Sequence, residues 1–287
     1  MINERYRLKL NESFSLRQGW LQKGVNIVKE NPLAFKGSDA PIIFGIGSNM
    51  VKSLRYYLRV FSLIEDGKGS EVVLSELGES IYKYDRFLED PLSLFILHLN
   101  SLMNKYINTV PYFYFNTKAL SNSVKDEIVE SIKMRLESNG VDVKPQMLNN
   151  DVQVLFRNYI EPDSEENPEE NAYSSPLSTL SLIKKEGPFY KKCAPSVDAL
   201  NPFVVFYNIL LLTQKNELTL DEFLIMDNNP SVSLNLNEAS LLYYLEILDK
   251  KGYIRLNKTA GLNTIKILKR KNISEIYSIY KEKESVQ

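Results

Sequence analysis

Residues 44–65 read FGIGSNMVKSLRYYLRVFSLIE, and this stretch constrains the fold more than any other. Gly45 and Gly47 permit a tight turn, because glycine adopts positive φ without steric cost. Ser48 or Asn49 then stands where a side-chain oxygen accepts from the unpaired N–H groups of a helix start. Met50, Leu54, Tyr57, Leu58 and Phe61 recur at three- and four-residue spacing, which gives that helix one buried stripe. Lys52, Arg55 and Arg59 fall off the stripe. A turn followed by a helix that offers polar and basic residues from its N-terminal end is the pattern of a helix-turn-helix.

The flanks extend the pattern. Ser13–Glu30 has helical periodicity through Phe14, Leu16, Trp20, Leu21, Val25 and Val28, and Asn31-Pro32 ends it. Asp66-Gly67 and Lys68-Gly69 are hairpin-turn chemistry before a short strand, Glu71–Leu74. Ser75 then caps a further helix, with Glu76 and Glu79 in its first turn. Helix, turn, helix, hairpin and helix predict a winged helix-turn-helix domain over residues 1–90. The C-terminal third, 201–287, predicts a second one. Its helices are Asn201–Lys215, Leu218–Ile225 and a third that is capped near Asn237 and ends at Lys251-Gly252. Strands Tyr253–Leu256 and Asn263–Leu268 follow, with Lys258 at the tip of the wing. Residues 91–200 read as a helical middle region with an acidic loop near 161–170. The expected fold is mainly α with a minor β part: two winged helix-turn-helix units joined by helices.

Charge is nearly balanced over the 287 residues but is unevenly placed. Residues 1–60 hold ten Lys or Arg against four acids, and residues 249–287 repeat that ratio. Between them EPDSEENPEE, Glu161–Glu170, carries six acids and no base. The two basic ends are candidate phosphate-facing surfaces. One histidine and one cysteine exclude a zinc finger, a His-rich metal site and a Cys–His protease. No phosphate-binding loop or dinucleotide fingerprint is present. His98, Trp20 and Tyr112–Phe115 read as core, and Cys193 has no companion for thiol chemistry. Asp151, Arg157 and Glu161 have the polarity a Mg²⁺- or Mn²⁺-dependent site would use, and a solvated helix end explains them equally well. No catalytic residue follows. The polar N-terminus and the lack of a long charge-free apolar run point to a cytoplasmic protein that does not enter a membrane.

Three stretches, SFSLRQGWLQKG (Ser13–Gly24), DAPIIFGIGSNMVKSLRYY (Asp39–Tyr57) and SSPLSTLSLI (Ser174–Ile183), resemble signature segments of the SspB-like proteins. These form a bacterial domain-of-unknown-function family found beside DNA phosphorothioation genes. Phe14, Arg17, Gly19, Trp20, Lys23 and Gly24 carry the first match; Gly45, Asn49, Met50 and Val51 carry the second. The resemblance implies a component of a DNA phosphorothioation and phage-defence system, acting with a cysteine desulfurase, an ATPase and a sulfurtransferase. It also implies DNA nicking. The residues expected at DNA are Arg17, Lys23, Asn49, Lys52, Arg55, Arg59 and Lys258. Basic side chains there would neutralise phosphates, while Asn49 would reach a base edge. Two other readings fit the same sequence: a transcriptional regulator without chemistry, binding as a homodimer, and an adaptor whose winged helices bind proteins.

Overall fold

A computed structural model of the chain describes residues 5–162, 174–259 and 262–284. Helices dominate and strands are short, as the sequence patterning predicts. Helices α1 (Trp20–Glu30), α2 (Ala40–Phe44) and α3 (Ser48–Val60) lead into the hairpin β1 (Ile64–Asp66) and β2 (Val72–Leu74), then α4 (Glu76–Tyr84). A long helix, α5 (Pro91–Met103), is buried from Leu92 through Leu102 and forms the centre of the molecule.

The middle region is not purely helical. It runs α6 (Thr109–Asn116), β3 (Asn122–Val124), α7 (Lys125–Ser138), α8 (Pro145–Tyr159), β4 (Ile183–Glu186) and β5 (Phe189–Lys192). The C-terminal third repeats this succession with α9 (Pro202–Leu212), β6 (Glu217–Thr219), α10 (Leu220–Ile225), α11 (Pro230–Ser233), α12 (Glu238–Lys250), β7 (Ile254–Thr259) and β8 (Leu262–Ile267). A last helix, α13 (Ile273–Glu284), returns to pack on α4. Both three-stranded sheets are antiparallel with matching order, β3-β5-β4 and β6-β8-β7. The first unit approximates the same arrangement, because the Val72 N–H donates to the Pro32 carbonyl (2.8 Å) and lays the chain after α1 beside β2.

The structure corrects several local expectations. The first helix begins at Trp20 rather than Ser13, since Lys9, Glu12, Ser13 and Gly19 all have positive φ and hold the preceding segment in turns. Leu218–Ile225 splits into β6 and α10, because Thr219 closes a capping box: its hydroxyl accepts from Glu222 N (3.0 Å), and the Glu222 carboxylate accepts from Thr219 N (2.8 Å). Neither Ser48 nor Asn49 caps α3. Gly47 occupies the cap in extended backbone, and it is Gly45, at φ 60, that needs glycine's freedom. The expected acidic loop lies outside the described residues from 163 to 173, as does the wing tip at 260–261.

Residues 183–192 do not read as strands in the sequence, because β5 ends on two lysines. Lys192 is nevertheless buried. Its ammonium donates to the carbonyls of Tyr114 (2.6 Å), Phe115 (3.1 Å) and Thr117 (2.9 Å), closing the C-terminal end of α6. A cation placed on those carbonyls satisfies the helix's orphan acceptors and its dipole together. Burial pushes its pKa down to about 7.

His98 ties the units together from α5. Its Nε2 lies 2.8 Å from the Ser233 carbonyl, which can only accept, so Nε2 carries the proton. The neutral ring then accepts at Nδ1 from the Tyr159 hydroxyl, also at 2.8 Å. Burial lowers its pKa to about 4 from 6.5. Between those values the unfolded chain binds the proton and the folded one does not, so this stabilisation is lost as pH falls from about 6.5 toward 4. Asp151 acts oppositely: burial raises it to about 6 from 3.8, so its protonation favours the folded state over that interval. A global stability profile therefore mixes the two. The protein's only imidazole should instead be read directly by ¹⁵N NMR, and should remain the Nε2–H tautomer at pH 5.5. A second outcome concerns packing. A Cβ built on Gly78 would stand 2.1 Å from the Leu63 carbonyl oxygen, a backbone atom that cannot yield cheaply. Gly78→Ala should lower stability by about 3 kcal/mol in chemical denaturation, the upper end of overpacking costs.

Candidate nucleic-acid interface

α3 buries Val51, Leu54, Tyr57 and Leu58 against α1 and its neighbours, so the predicted stripe is present, with Met50 half-buried at its edge. The opposite side leaves Ser48, Asn49 and Lys52 exposed and Arg55 and Arg59 half-exposed. Lys52, Arg55 and Arg59 line one cleft of about 690 Å³. Arg7 joins them from the N-terminal segment. No sequence motif marked Arg7, beyond its place in the basic run. Its position is set by distant partners: its backbone N–H donates to the Tyr106 carbonyl (3.0 Å) and faces Thr109 Oγ1 (3.1 Å).

The cations differ in how they are held. Arg59 pairs with Asp66 across the start of the hairpin. Lys52 reaches only Asn49 Oδ1, at 3.4 Å. Arg55 lies over the Phe35 ring, 5.5 Å from its centroid. Burial and the neighbouring Arg59 both lower the Arg55 pKa, burial more. Among the described residues Arg7, Lys52 and Arg55 have no carboxylate partner. Four cations against the two carboxylates Glu65 and Asp66 in one cleft give it a net anion-attracting field.

The other expected contacts lie elsewhere. Arg17 stacks 5.4 Å from Trp20 and 5.9 Å from Phe14, where it organises the entry to α1. Lys23 is exposed on α1 and donates to the Phe44 carbonyl (3.3 Å), at the end of α2. Lys258 belongs to the distant C-terminal unit and is paired with Glu246 at 2.6 Å. Two further cations of that unit are paired: Arg255 meets Asp249 (3.4 Å), and Lys271 meets Glu275 (2.6 Å). Asp151 and Arg157 do not converge on a metal. Asp151 Oδ2 accepts from Lys9 N (2.7 Å), while Arg157 donates to the Ser13 carbonyl (3.3 Å), so both fasten the N-terminal segment. Among the described residues no group of three or more His, Cys, Asp or Glu stands ready to hold a metal ion. Asp151 and Arg157, each committed to the N-terminal segment, do not fit the Mg²⁺ or Mn²⁺ site of a nickase.

The three signature segments converge on one junction. Tyr57 Oη donates to the Phe14 carbonyl (2.8 Å) and accepts from Asn158 Nδ2 (3.2 Å). Asn158 Oδ1 accepts from Leu16 N (2.8 Å), and Gln18 N donates to the Ser174 carbonyl (2.9 Å). A family profile described as DUF4007, proteins of unknown function, matches residues 10–280. The chain belongs to this family. Its fold is that of SspB. The crystal structure of magnesium ion-bound SspB matches with a TM-score of 0.83 at 21% identity, over 97% of this chain and 88% of that one. A second SspB crystal structure matches at 0.79 and 20% identity, over 97% of this chain and 94% of that one. No curated protein matches the sequence. Among the described residues of this DUF4007 protein, no helix is long and apolar enough to cross a membrane.

The junction sets the orientation of α3 relative to the N-terminal segment that carries Arg7. Tyr57→Phe would leave Asn158 Nδ2 and the Phe14 carbonyl without their shared partner. It should cost about 1–3 kcal/mol in denaturant unfolding, with the fold retained by circular dichroism.

Proposed function

We propose that this protein is the DNA-binding component of a bacterial DNA phosphorothioation and defence system in the cytoplasm, and that its N-terminal unit is a winged helix-turn-helix with α3 as the recognition helix. The observation that carries the reading is the row Lys52, Arg55 and Arg59 beside Arg7, with only Arg59 neutralised by a carboxylate. Lys and Arg in such a row release counterions from phosphates, while Asn49, exposed at the helix start, reaches toward a base edge. Arg17 and Lys23 would extend the footprint over α1. The family resemblance supports the phosphorothioation setting, and the shared SspB fold agrees with it.

The C-terminal unit we read as a second winged helix that meets protein rather than DNA. The helix before its hairpin, α12, exposes Glu238, Tyr243 and a half-buried Glu246, and its wing cation Lys258 is already paired. The desulfurase, ATPase and sulfurtransferase partners implied by the resemblance belong on that face.

Filter binding to a plain duplex at several salt concentrations tests the reading. The logarithm of the affinity should fall linearly with log salt, and Lys52→Gln should lower the slope by about one. Salt-independent or absent binding would move the protein to the adaptor reading. In the same preparation, supercoiled plasmid incubated with Mg²⁺ or Mn²⁺ reports directly on the nicking that the resemblance implies: open circles would add it, and intact plasmid would leave binding alone.

A further inference from the structure

The cleft beside α3 is larger than a phosphate requires. Its volume of about 690 Å³ lies among those that enclose whole small-molecule ligands, roughly 300–1,000 Å³. Its lining divides chemically. Arg7, Lys52, Arg55 and Arg59 supply cations, whereas Leu10, Tyr56, Ile64 and Ile107 supply apolar surface. The carboxylates at its edge are Glu65 and Asp66, and Asp66 is held by Arg59. Among the described residues Arg55 Nε is buried without a hydrogen-bond partner, and the half-exposed guanidinium lines the cleft free of any carboxylate bond.

Two polar groups are fixed in place. The Tyr56 hydroxyl donates to Asn108 Oδ1 (3.2 Å), which holds the ring at the cleft wall. Asn104 donates through Nδ2 to the Val60 carbonyl (2.8 Å), Ser62 Oγ (3.0 Å) and the Asn100 carbonyl (3.2 Å). All its donor capacity is spent inside the protein, so Oδ1 is what it offers an occupant. An anion-binding set, an aromatic and aliphatic surface and one oriented acceptor are the parts that recognise a phosphate joined to a base.

We propose that the cleft takes one nucleotide unit. Its phosphate lies on Arg7, Lys52 and Arg55. Its unstacked base packs on Tyr56 and Ile107, with an exocyclic amine donating to Asn104 Oδ1. That the unit belongs to a DNA strand rests on the DNA-binding reading above; a free nucleotide offers the same chemistry.

Isothermal titration of the full chain at low salt, with dAMP and with deoxyribose 5-phosphate, separates base from phosphate. We expect dAMP to bind at least tenfold more tightly. Arg7→Gln should weaken both ligands, while Ile107→Ala, at a half-buried position, should weaken dAMP about threefold and leave deoxyribose 5-phosphate unchanged. Displacement of dAMP by a single-stranded oligonucleotide would identify the DNA strand as the source. Selective dAMP binding with no binding of oligonucleotide or duplex would keep the nucleotide site and overturn the DNA reading. Equal affinity for the two ligands, or no dAMP binding by a protein that still binds duplex, would overturn the nucleotide site and leave the DNA reading standing. An Ile107→Ala variant with unaltered dAMP affinity would likewise overturn it.

Discussion

The His98 ring is the point on which the arrangement of units depends. It sits on α5, a helix with no exposed face between Leu92 and Leu102, and spends both nitrogens on other units. Tyr159 belongs to the third helix of the middle unit, and Ser233 to the C-terminal unit. A buried imidazole left half-paired would carry an unsatisfied polar group in a low-dielectric core, at a cost comparable to a whole hydrogen bond. Both neighbours must therefore arrive in register for the centre to close. Phe115 and Tyr159 meet the ring edge-on at 4.8 and 5.6 Å, which leaves no room for a shifted alternative.

Around that centre a helical unit with a small antiparallel sheet recurs three times, and the long helix before each hairpin has a different environment. α3 shows cations to solvent and borders the cleft. α8 is turned inward, and Leu148, Val152, Leu155 and Tyr159 are all buried. α12 shows carboxylates. Charge pairing reinforces the division locally, since Arg255 and Lys258 on β7 are held by carboxylates of α12, whereas among the described residues Arg7, Lys52 and Arg55 beside α3 have no carboxylate partner. Units of similar topology thus need not be used equally, and the distribution of counter-ions separates them where topology cannot.

Much of this was legible in the sequence where local physics dominates. The α3 stripe, the Ser75 and Asn237 caps, the Tyr112–Phe115 core and the buried, hydrogen-bonded His98 all follow from periodicity and capping chemistry. What could not be read is what long-range partners impose. Lys192 looks like a surface lysine until the end of α6 supplies three carbonyls seventy-five or more residues away. Lys258 and Glu246 look like independent charges until the wing folds back on α12. Arg7 gains meaning only from Tyr106 and Thr109. The Ser13–Gly19 segment has helical spacing, but the chain bends it into turns to meet Asn158 and Ser174, a tertiary demand that outweighs a weak local preference.

The N-terminal segment has one more consequence, for synthesis. Its anchors are Tyr106, Asp151, Asn158 and Ser174, each far along the chain. Contacts of such separation close late, because loop entropy is spent before they form. On the ribosome, Arg7 has no partner until residues 106–109 have emerged, and its segment lacks its last anchor until residue 174, even though α1 to α4 are complete before either. The first residues of the basic cleft are therefore made long before the partners that place them, and a nascent chain carries its N-terminal cations through more than a third of its translation without a finished surface.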